Sequence, residues 1–179
     1  MPKLNALEGI AEIIVTLLQD RHCAYVALAP TRCKLEAGIN VTLTGVTLKT
    51  AEDEEGDSFQ LSLTAGDDTV VNLLDYQNGE VVLIAAGEVP DGDYAKIRMH
   101  VSEAELVRDD DGDPDTPDIV EPIFIPAEKV DVPVSFSLSN GADMEVTLDF
   151  DAELSMQVNE TSGQPAYILR PVINIANMN

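Results

Sequence analysis

Short runs of alternating aliphatic and polar residues recur along most of this chain, and they constrain its fold more than any other feature. In the clearest run, from Ile39 to Leu48, apolar and polar residues alternate with one interruption at Gly45. A period of two places successive side chains on opposite faces of a strand, so the run predicts a sheet that is buried on one face. The glycine inside it predicts a β-bulge.

Turn residues separate the further runs of this kind. The runs are Tyr25 to Leu28, Phe59 to Leu63, Val70 to Leu74, Val81 to Ala85, Tyr94 to Val101, Val120 to Ile125, Val130 to Leu138, Met144 to Phe150 and Tyr167 to Ile175. The chain is 45% hydrophobic but only 4% aromatic, so its core must come from Val, Ile, Leu and Ala. Because short strands punctuated by turns are typical of sandwiches, the sequence predicts an all-β protein with an antiparallel β-sandwich.

The N-terminal segment admits two interpretations. Apolar residues recur at helical spacing at Leu4, Leu7, Ala11, Ile14 and Leu18, whereas Ile13 to Leu18 is a β-rich run. We favour a strand over Ile13 to Leu18. The predicted organisation is an N-terminal extension at residues 1–38, containing a possible donor strand for a neighbouring subunit, and a β-sandwich domain at residues 39–179.

The charge balance excludes some partners. Ten Lys and Arg against 33 Asp and Glu give a net charge of −23, which opposes binding to nucleic acid and to anionic membrane surfaces. No stretch approaches the roughly 20 apolar residues that a membrane-spanning helix needs. The first twenty residues lack the pattern of a signal peptide, so we expect that a secretion signal has been removed from this numbering or that the protein stays inside the cell.

One acidic loop is the strongest candidate for a metal site. Six carboxylates lie within the ten residues from Asp109 to Asp118 and repel one another unless a cation lies among them. Calcium prefers such oxygen ligands, and Gly112 allows the chain to bend around an ion. The spacing departs from the EF-hand loop, and a solvated acidic loop is the alternative. The predicted calcium ligands are Asp109, Asp111, Asp113, Asp115 and Asp118.

Other residues with chemical potential give weaker patterns. Cys23 and Cys33 are compatible with a disulfide or with two free thiols, and a zinc site with His22 would lack a fourth ligand nearby. Asp149 and Asp151 form one of many acidic pairs expected by chance among 33 acids. No Gly-x-Ser-x-Gly elbow accompanies the two histidines. We therefore expect no catalytic residue and no enzyme.

The two arginines Arg98 and Arg170 have a simple interpretation in so acidic a chain. Each lies in a predicted strand, where a carboxylate is available to pair with it. We therefore expect structural ion pairs at both positions rather than an anion-binding pocket.

Four stretches of the sequence carry a family resemblance. They are Val71 to Gly79, Val89 to Tyr94 with Ile97 and Arg98, Leu148 to Ala152 with Ser155, and Tyr167 to Ile173. Together, from about Ile39 to Ile175, they resemble DUF4382, a bacterial and archaeal domain family of unknown function that is common in secreted proteins and lipoproteins. The resemblance implies a β-sandwich and an extracellular or cell-surface location, and it implies no catalytic residue. The acidic loop is an insertion relative to the family pattern.

These observations lead to one functional hypothesis and one alternative. The hypothesis is a non-enzymatic extracellular or cell-surface structural module, a filament or adhesive subunit that forms a homo-oligomer through residues 1–20 and is stabilised by calcium. Its motive is that this strand-competent segment lies outside the family resemblance, and strand addition to a sheet edge builds fibres. The alternative is a monomeric cell-surface domain that binds a ligand such as a glycan.

Overall fold

The computed structural model of the protein describes residues 10–18, 36–51, 57–76, 80–108, 119–159 and 167–179. The strands of these ranges are β1 (Ile10–Leu18), β2 (Glu36–Thr50), β3 (Ser58–Leu63), β4 (Thr69–Asn72), β5 (Val82–Pro90), β6 (Gly92–Arg108), β7 (Ile119–Pro122), β8 (Lys129–Leu138), β9 (Met144–Phe150), β10 (Met156–Val158), β11 (Tyr167–Leu169) and β12 (Ile173–Met178). A 3-10 turn at Leu73–Asp75 and one turn of helix, α1 (Ala152–Ser155), are the helical segments of the described ranges.

Ten of the strands form one large sheet that curls on itself. Its order is β12-β9-β1-β5-β3-β2-β6-β7, with β4 beside β2 and β8 beside β6. Strands β10 and β11 form a separate antiparallel pair. The inward side chains of both halves of the curled sheet belong to a single core. The prediction of an all-β protein with sandwich-like architecture is confirmed.

The prediction of a purely antiparallel sheet needs one correction, because the sheet is mixed. Strand β1 pairs parallel with β9, from Ile13 beside Met144 to Leu18 beside Asp149. Parallel neighbours need a long connection between them, and here most of the chain separates the two strands. No local sequence pattern reports such a distant pairing.

The two longest strands, β2 and β6, form the centre of the other half of the sheet. Their inward aliphatic side chains, such as Ile39, Leu48 and Ile97, are fully buried. Burial of each such side chain stabilises the fold by about 1.5–3 kcal/mol. The pairing of β2 with β6 shifts register between Leu43 and Gly45, so the predicted irregularity at Gly45 is confirmed.

Two turns carry the chain from one half of the curled sheet to the other. Between β5 and β6, the Tyr94 hydroxyl donates a hydrogen bond to the Pro90 carbonyl at 2.6 Å. Between β8 and β9, Asn140 and Gly141 both have positive φ, as a type I′ turn requires. Asp91 joins the two turns, because its carboxylate accepts a hydrogen bond from the Gly141 amide at 3.1 Å.

The N-terminal segment contains a strand, as the β-rich run indicated. From Ile10 to Val15, the residues of β1 alternate between more exposed and buried positions, whereas a helix would have buried one residue in every three or four. The strand lies within the same sheet as β5 and β9, which belong to the predicted domain at residues 39–179.

Candidate functional site

The position of β1 makes it the most informative element for function. On one side it pairs antiparallel with β5, from Ile10 opposite Pro90 to Leu17 opposite Val82. On its other side lies β9 in parallel. We call the gap between β5 and β9 that β1 fills the β1 slot. In the part of the chain that the structure describes, β9 pairs with β1 and with β12. Strand β1 therefore connects the β9–β12 pair to the rest of the sheet.

The inward face of β1 belongs to the core. Ala11, Ile13, Val15 and Leu17 are each at most 2% exposed. At about 1.5–3 kcal/mol for each large aliphatic side chain, their burial is a substantial part of the stability of a domain of this size. The first residue of the strand, Ile10, is in contrast 64% exposed. Because the side chains of β1 contribute this much burial, a strand that carries them must occupy the β1 slot whenever the sheet is complete.

A buried pair of hydroxyl groups joins β1 to β9. Thr16 donates a hydrogen bond to Thr147 with an Oγ1–Oγ1 distance of 3.0 Å, and the two residues are adjacent in the parallel register. They are only 5% and 8% exposed. A shift of β1 by one residue would place an aliphatic side chain against the Thr147 hydroxyl and leave it without this partner, which would cost about 1–3 kcal/mol. The pair therefore favours a single register.

Close backbone contacts define the start of the β1 slot. The Glu12 amide donates a hydrogen bond to the Asp143 carboxylate at 3.1 Å. A Cβ at Gly141 would lie 3.1 Å from the Ile10 carbonyl oxygen, and Gly141 has a φ of +67°. Both the close approach and the left-handed backbone favour glycine here.

The predicted calcium ligands lie outside the described residues. Asp109, Asp111, Asp113, Asp115 and Asp118 belong to the segment between β6 and β7, whose ends are held together where Arg108 pairs with Ile119. An ion pair between Arg108 and Glu121 lies at the same end of the two strands. Within the described ranges, no group of three or more His, Cys, Asp or Glu residues is placed to hold a metal ion. Calcium binding stays a prediction.

The ion pair predicted for Arg98 is present. Its guanidinium donates two hydrogen bonds to the Asp131 carboxylate, at 2.6 and 2.8 Å. Lys96 lies 3.1 Å from the same carboxylate. The hydrogen bonds from Arg98, with a smaller contribution from Lys96, lower the pKa of Asp131 from 3.8 to about 2. The three residues join β6 to β8 across the register in which Arg98 is opposite Asp131.

The residues considered for catalysis lie on strands or at the start of α1. The Asp151 carboxylate accepts a hydrogen bond from the Leu154 amide at 3.0 Å and so caps the N-terminus of α1. Asp149 lies on β9 opposite Asn174 of β12. His100 is half-buried on β6, opposite Gly45 and Lys129. His22, Cys23 and Cys33 lie outside the described residues.

The aromatic residues that a glycan platform would need are mostly part of the core. Tyr94, Phe150 and Tyr167 are at most 5% exposed. Tyr94 also lies between the rings of Phe59 and Phe136, with centroid separations of 6.2 and 5.6 Å. Phe124 is 52% exposed. Tyr25 lies outside the residues that the structure describes.

The amino-acid sequence indicated the N-terminal strand but not its neighbours in the sheet. The β-rich run at Ile13 to Leu18 indicated a strand, whereas nothing local indicated that β5 and β9 would flank it. The Thr16–Thr147 pair was also missed, because the two residues are brought together only by the parallel pairing.

The comparisons with known proteins identify a family and nothing finer. No curated protein and no solved structure matches the chain. Among the described residues, none forms a helix long and apolar enough to cross a bilayer.

One family model, described as "Domain of unknown function (DUF4382)", matches residues 29–171. The match covers most of the chain, and it begins and ends somewhat earlier than the resemblance seen in the sequence. Strands β1 and β12, which flank β9 on its two sides, both lie outside the matched residues. The chain belongs to the DUF4382 family.

Proposed function

We propose that this protein is a non-enzymatic structural module of the cell surface or extracellular space whose copies assemble by exchanging β1. In the assembled form, the β1 slot of each copy is filled by β1 of the next copy. The same residues make the same contacts in both forms, so exchange replaces a contact within the chain by an identical contact between chains. The observation that supports the proposal best is the position of β1 as a buried, N-terminal strand between β5 and β9.

The connection after β1 is long enough for such an exchange. Residues 19–35 separate β1 from β2. Fully extended, a segment of this length spans at most about 55–60 Å, which exceeds the diameter of a domain of this size. An exchanged β1 therefore has the reach to enter the slot of a neighbouring copy.

The direction of the contact favours a filament. Each copy donates β1 from one surface and accepts β1 at the slot between β5 and β9, so donor and acceptor are different surfaces. Contacts of this heterologous kind produce open fibres unless the rotation between copies closes a ring. In this proposal, calcium bound at Asp109 to Asp118 reduces the repulsion among the six carboxylates of the loop.

A disulfide across the slot tests the exchange directly. Thr16 and Thr147 are adjacent in the parallel register with their hydroxyl oxygens 3.0 Å apart, so cysteines at these positions have the proximity that a disulfide needs. The variant carries Thr16→Cys and Thr147→Cys in a background with Cys23→Ser and Cys33→Ser. After mild oxidation of assembled protein, we expect a ladder of covalent multimers on a non-reducing gel. The Thr16→Cys single variant in the same background is the control, because it lacks the second thiol.

One outcome of this experiment would contradict β1 exchange. If the disulfide forms only within single chains at every protein concentration, and electron microscopy shows dispersed particles, β1 exchange is wrong. Fibres that contain only intramolecular disulfides would mean that assembly uses another surface.

The proposed location has a separate test. Protease treatment of intact source cells should degrade the protein while a cytosolic marker survives. Complete protection of the protein until the cells are lysed would contradict a surface location.

A further inference from the structure

A group of basic side chains lies on the outer face of the large sheet. Strands β3, β2, β6 and β8 are neighbours in that half of the sheet, and their residues alternate between the core and the outer face. We call one group of outward residues the cationic patch: Lys49 on β2, Lys96, Arg98 and His100 on β6, and Lys129 on β8. In the described part of these strands, the carboxylate that lies among them is that of Asp131. The patch therefore carries more positive than negative charge.

The positive charge of an acidic chain is concentrated here. The patch holds four of the ten Lys and Arg residues of a chain whose net charge is −23. Along β6, the nearest acids on either side are Asp93 and Glu103, each three residues from a member of the patch. At about 3.3 Å per residue, that separation is about 10 Å. It exceeds the Debye length of about 8 Å at physiological ionic strength, so an anion bound to the patch interacts more strongly with the patch than with these acids.

Like charges face one another across two strands of the patch. Lys49 on β2 is directly opposite Lys96 on β6, and like charges in such positions destabilise a sheet. Asp131 relieves only part of the repulsion, because Arg98 and Lys96 share its carboxylate. Among the described residues, no carboxylate forms an ion pair with Lys49 or Lys129. A further anion on this face would therefore stabilise it.

The sheet has a recess at Gly45, beside the patch. A Cβ at this position would lie 3.1 Å from Gln60 Nε2 and 3.6 Å from His100 Cδ2. The Thr47 hydroxyl donates a hydrogen bond to Gln60 Oε1 at 3.1 Å, which leaves the amide nitrogen of Gln60 beside the glycine. His100 is also directly opposite Lys129. The absence of a Cβ lets a carboxylate approach the sheet here, next to a hydrogen-bond donor and the basic side chains of β6 and β8.

We propose that the cationic patch binds an extended acidic segment of a partner protein in which Asp or Glu occupies every second residue. Lys96, Arg98 and His100 repeat at two-residue spacing along β6, which corresponds to about 6.6–6.8 Å. An extended polypeptide repeats the side chains of one face at the same spacing. Alternate carboxylates of such a segment therefore match the basic side chains, with which they form charge-assisted hydrogen bonds. This contact does not depend on the β1 exchange.

Other polyanions match the patch less well. Ligand pockets for sugars are lined with aromatic side chains, whereas Phe59, Tyr94 and Phe136 of these strands pack toward the core. A nucleic acid or an anionic membrane surface extends far beyond the patch and would meet the repulsion of the acidic surface around it. A short acidic segment covers the patch alone.

Fluorescence anisotropy of a labelled synthetic peptide tests the proposal on the full chain at physiological ionic strength. The probe is a peptide of alternating Glu and Thr residues. Its control has the same composition, with all Glu residues in one block. We expect the alternating peptide to bind at least fivefold more tightly, because only its carboxylates follow the spacing of the patch.

Three variants and a control locate the binding site. Lys49→Gln and Lys129→Gln should each weaken binding of the alternating peptide at least threefold, and both leave the ion pairs of Asp131 in place. Arg170→Gln is the matched control, because it removes the same charge from an exposed position outside the patch, and its Kd should stay within twofold of wild type. Gly45→Ala changes no charge but places a Cβ in the recess, and it should also weaken binding at least threefold.

Two results would overturn the proposed site. One is a wild-type chain that binds neither peptide or binds both equally well. The other is an Arg170→Gln variant that weakens binding as much as the two lysine variants, since the net charge of the chain would then control the affinity.

Two further results would overturn the proposed partner. Tighter binding of polygalacturonate, a polymer of carboxylated sugars, than of the alternating peptide would make the ligand a glycan. Binding that appears only after Glu52, Asp53, Glu54 and Glu55 are replaced by Gln and Asn would mean that the chain's own acidic segment occupies the patch.

Discussion

At the scale of single residues, the clearest group of charged side chains lies around Asp131. Its carboxylate lies beside Arg98 and Lys96 on β6, and hydrogen bonds from Arg98 are the main reason for its lowered pKa. A carboxyl group with a lowered folded-state pKa stabilises the fold above its ordinary pKa of 3.8, and this contribution is lost as the pH falls through about 2. Because Asp131 is partly exposed, we expect the contribution to be only about 0.5–1 kcal/mol.

The carboxyl titration of Asp131 tests this arrangement. In Arg98→Gln, the pKa of Asp131 should rise from about 2 toward 3.8, because the two hydrogen bonds from the guanidinium are gone. Lys96→Gln should raise it less, since Lys96 contributes less to the shift. Carbon-detected NMR of the side-chain carboxyl measures both values. Equal shifts in the two variants would contradict the dominant part assigned to Arg98.

The buried hydroxyl pair gives a second prediction at this scale. Thr16→Val should lower the free energy of unfolding by about 1–3 kcal/mol, because it leaves the buried Thr147 hydroxyl without this partner. The double variant Thr16→Val with Thr147→Val should recover part of that loss. A double-mutant cycle from urea unfolding measures the coupling between the two positions. Simple additivity would mean that the pair does not help to define the register of β1.

At the scale of elements, β1 connects the β9–β12 pair to the remaining sheet. The strand contributes a core-facing row of aliphatic residues on one side of its pleat and pairs through its backbone on both edges. Loss of contacts on β1 should therefore weaken β9 and β12 as well as β1 itself.

Two of the three isoleucines of β1, Ile10 and Ile13, provide a matched pair for measuring this effect. Ile13→Ala should lower the free energy of unfolding by about 2–5 kcal/mol, because Ile13 is fully buried. Ile10→Ala, at a position that is 64% exposed, should change it by no more than about 0.5 kcal/mol. Urea unfolding measures both. In Ile13→Ala, hydrogen exchange should also accelerate in β9 and β12 before it does in β2 and β6, and uniform acceleration would contradict the connecting position of β1.

At the scale of the whole molecule, the net charge of −23 dominates the response to salt. Repulsion among the acidic side chains is stronger in the compact fold than in the expanded unfolded chain. Raising NaCl from low to molar concentration should therefore raise Tm by several degrees, as about 1 kcal/mol corresponds to roughly 2–4 °C for a chain of this size. A thermal unfolding series measures this, and a Tm that falls with NaCl would contradict it.

Calcium should act beyond this general screening if it binds the acidic loop. At constant ionic strength, a calcium concentration about 100 times the Kd would stabilise the fold by about 2.7 kcal/mol. Asp111→Asn with Asp113→Asn should abolish the calcium-dependent rise in Tm. The control is Asp67→Asn with Asp68→Asn, which neutralises two exposed acids between β3 and β4. Equal effects of calcium on both double variants would contradict binding by the loop.

Some of this architecture could be predicted from local pattern. The alternation along Ile39 to Leu48 and the β-rich run at Ile13 to Leu18 each correspond to strands of the structure. The candidate β1 slot could be predicted only in part. Its occupant, β1, was recognisable as a strand. The flanking strands β5 and β9 could not be identified as its neighbours, because they lie far from β1 in sequence.

By itself, the sequence determined the class of the protein, since a period of two with aliphatic and β-branched residues is compatible with strands and with little else. It also determined the acidity that governs how copies approach one another. Only the tertiary structure decided the parallel pairing of β1 with β9 and the burial of the Thr16–Thr147 pair. The physical reason is that strand pairing is made by backbone groups, which every residue carries, so the choice of neighbour depends on the packing of the whole chain.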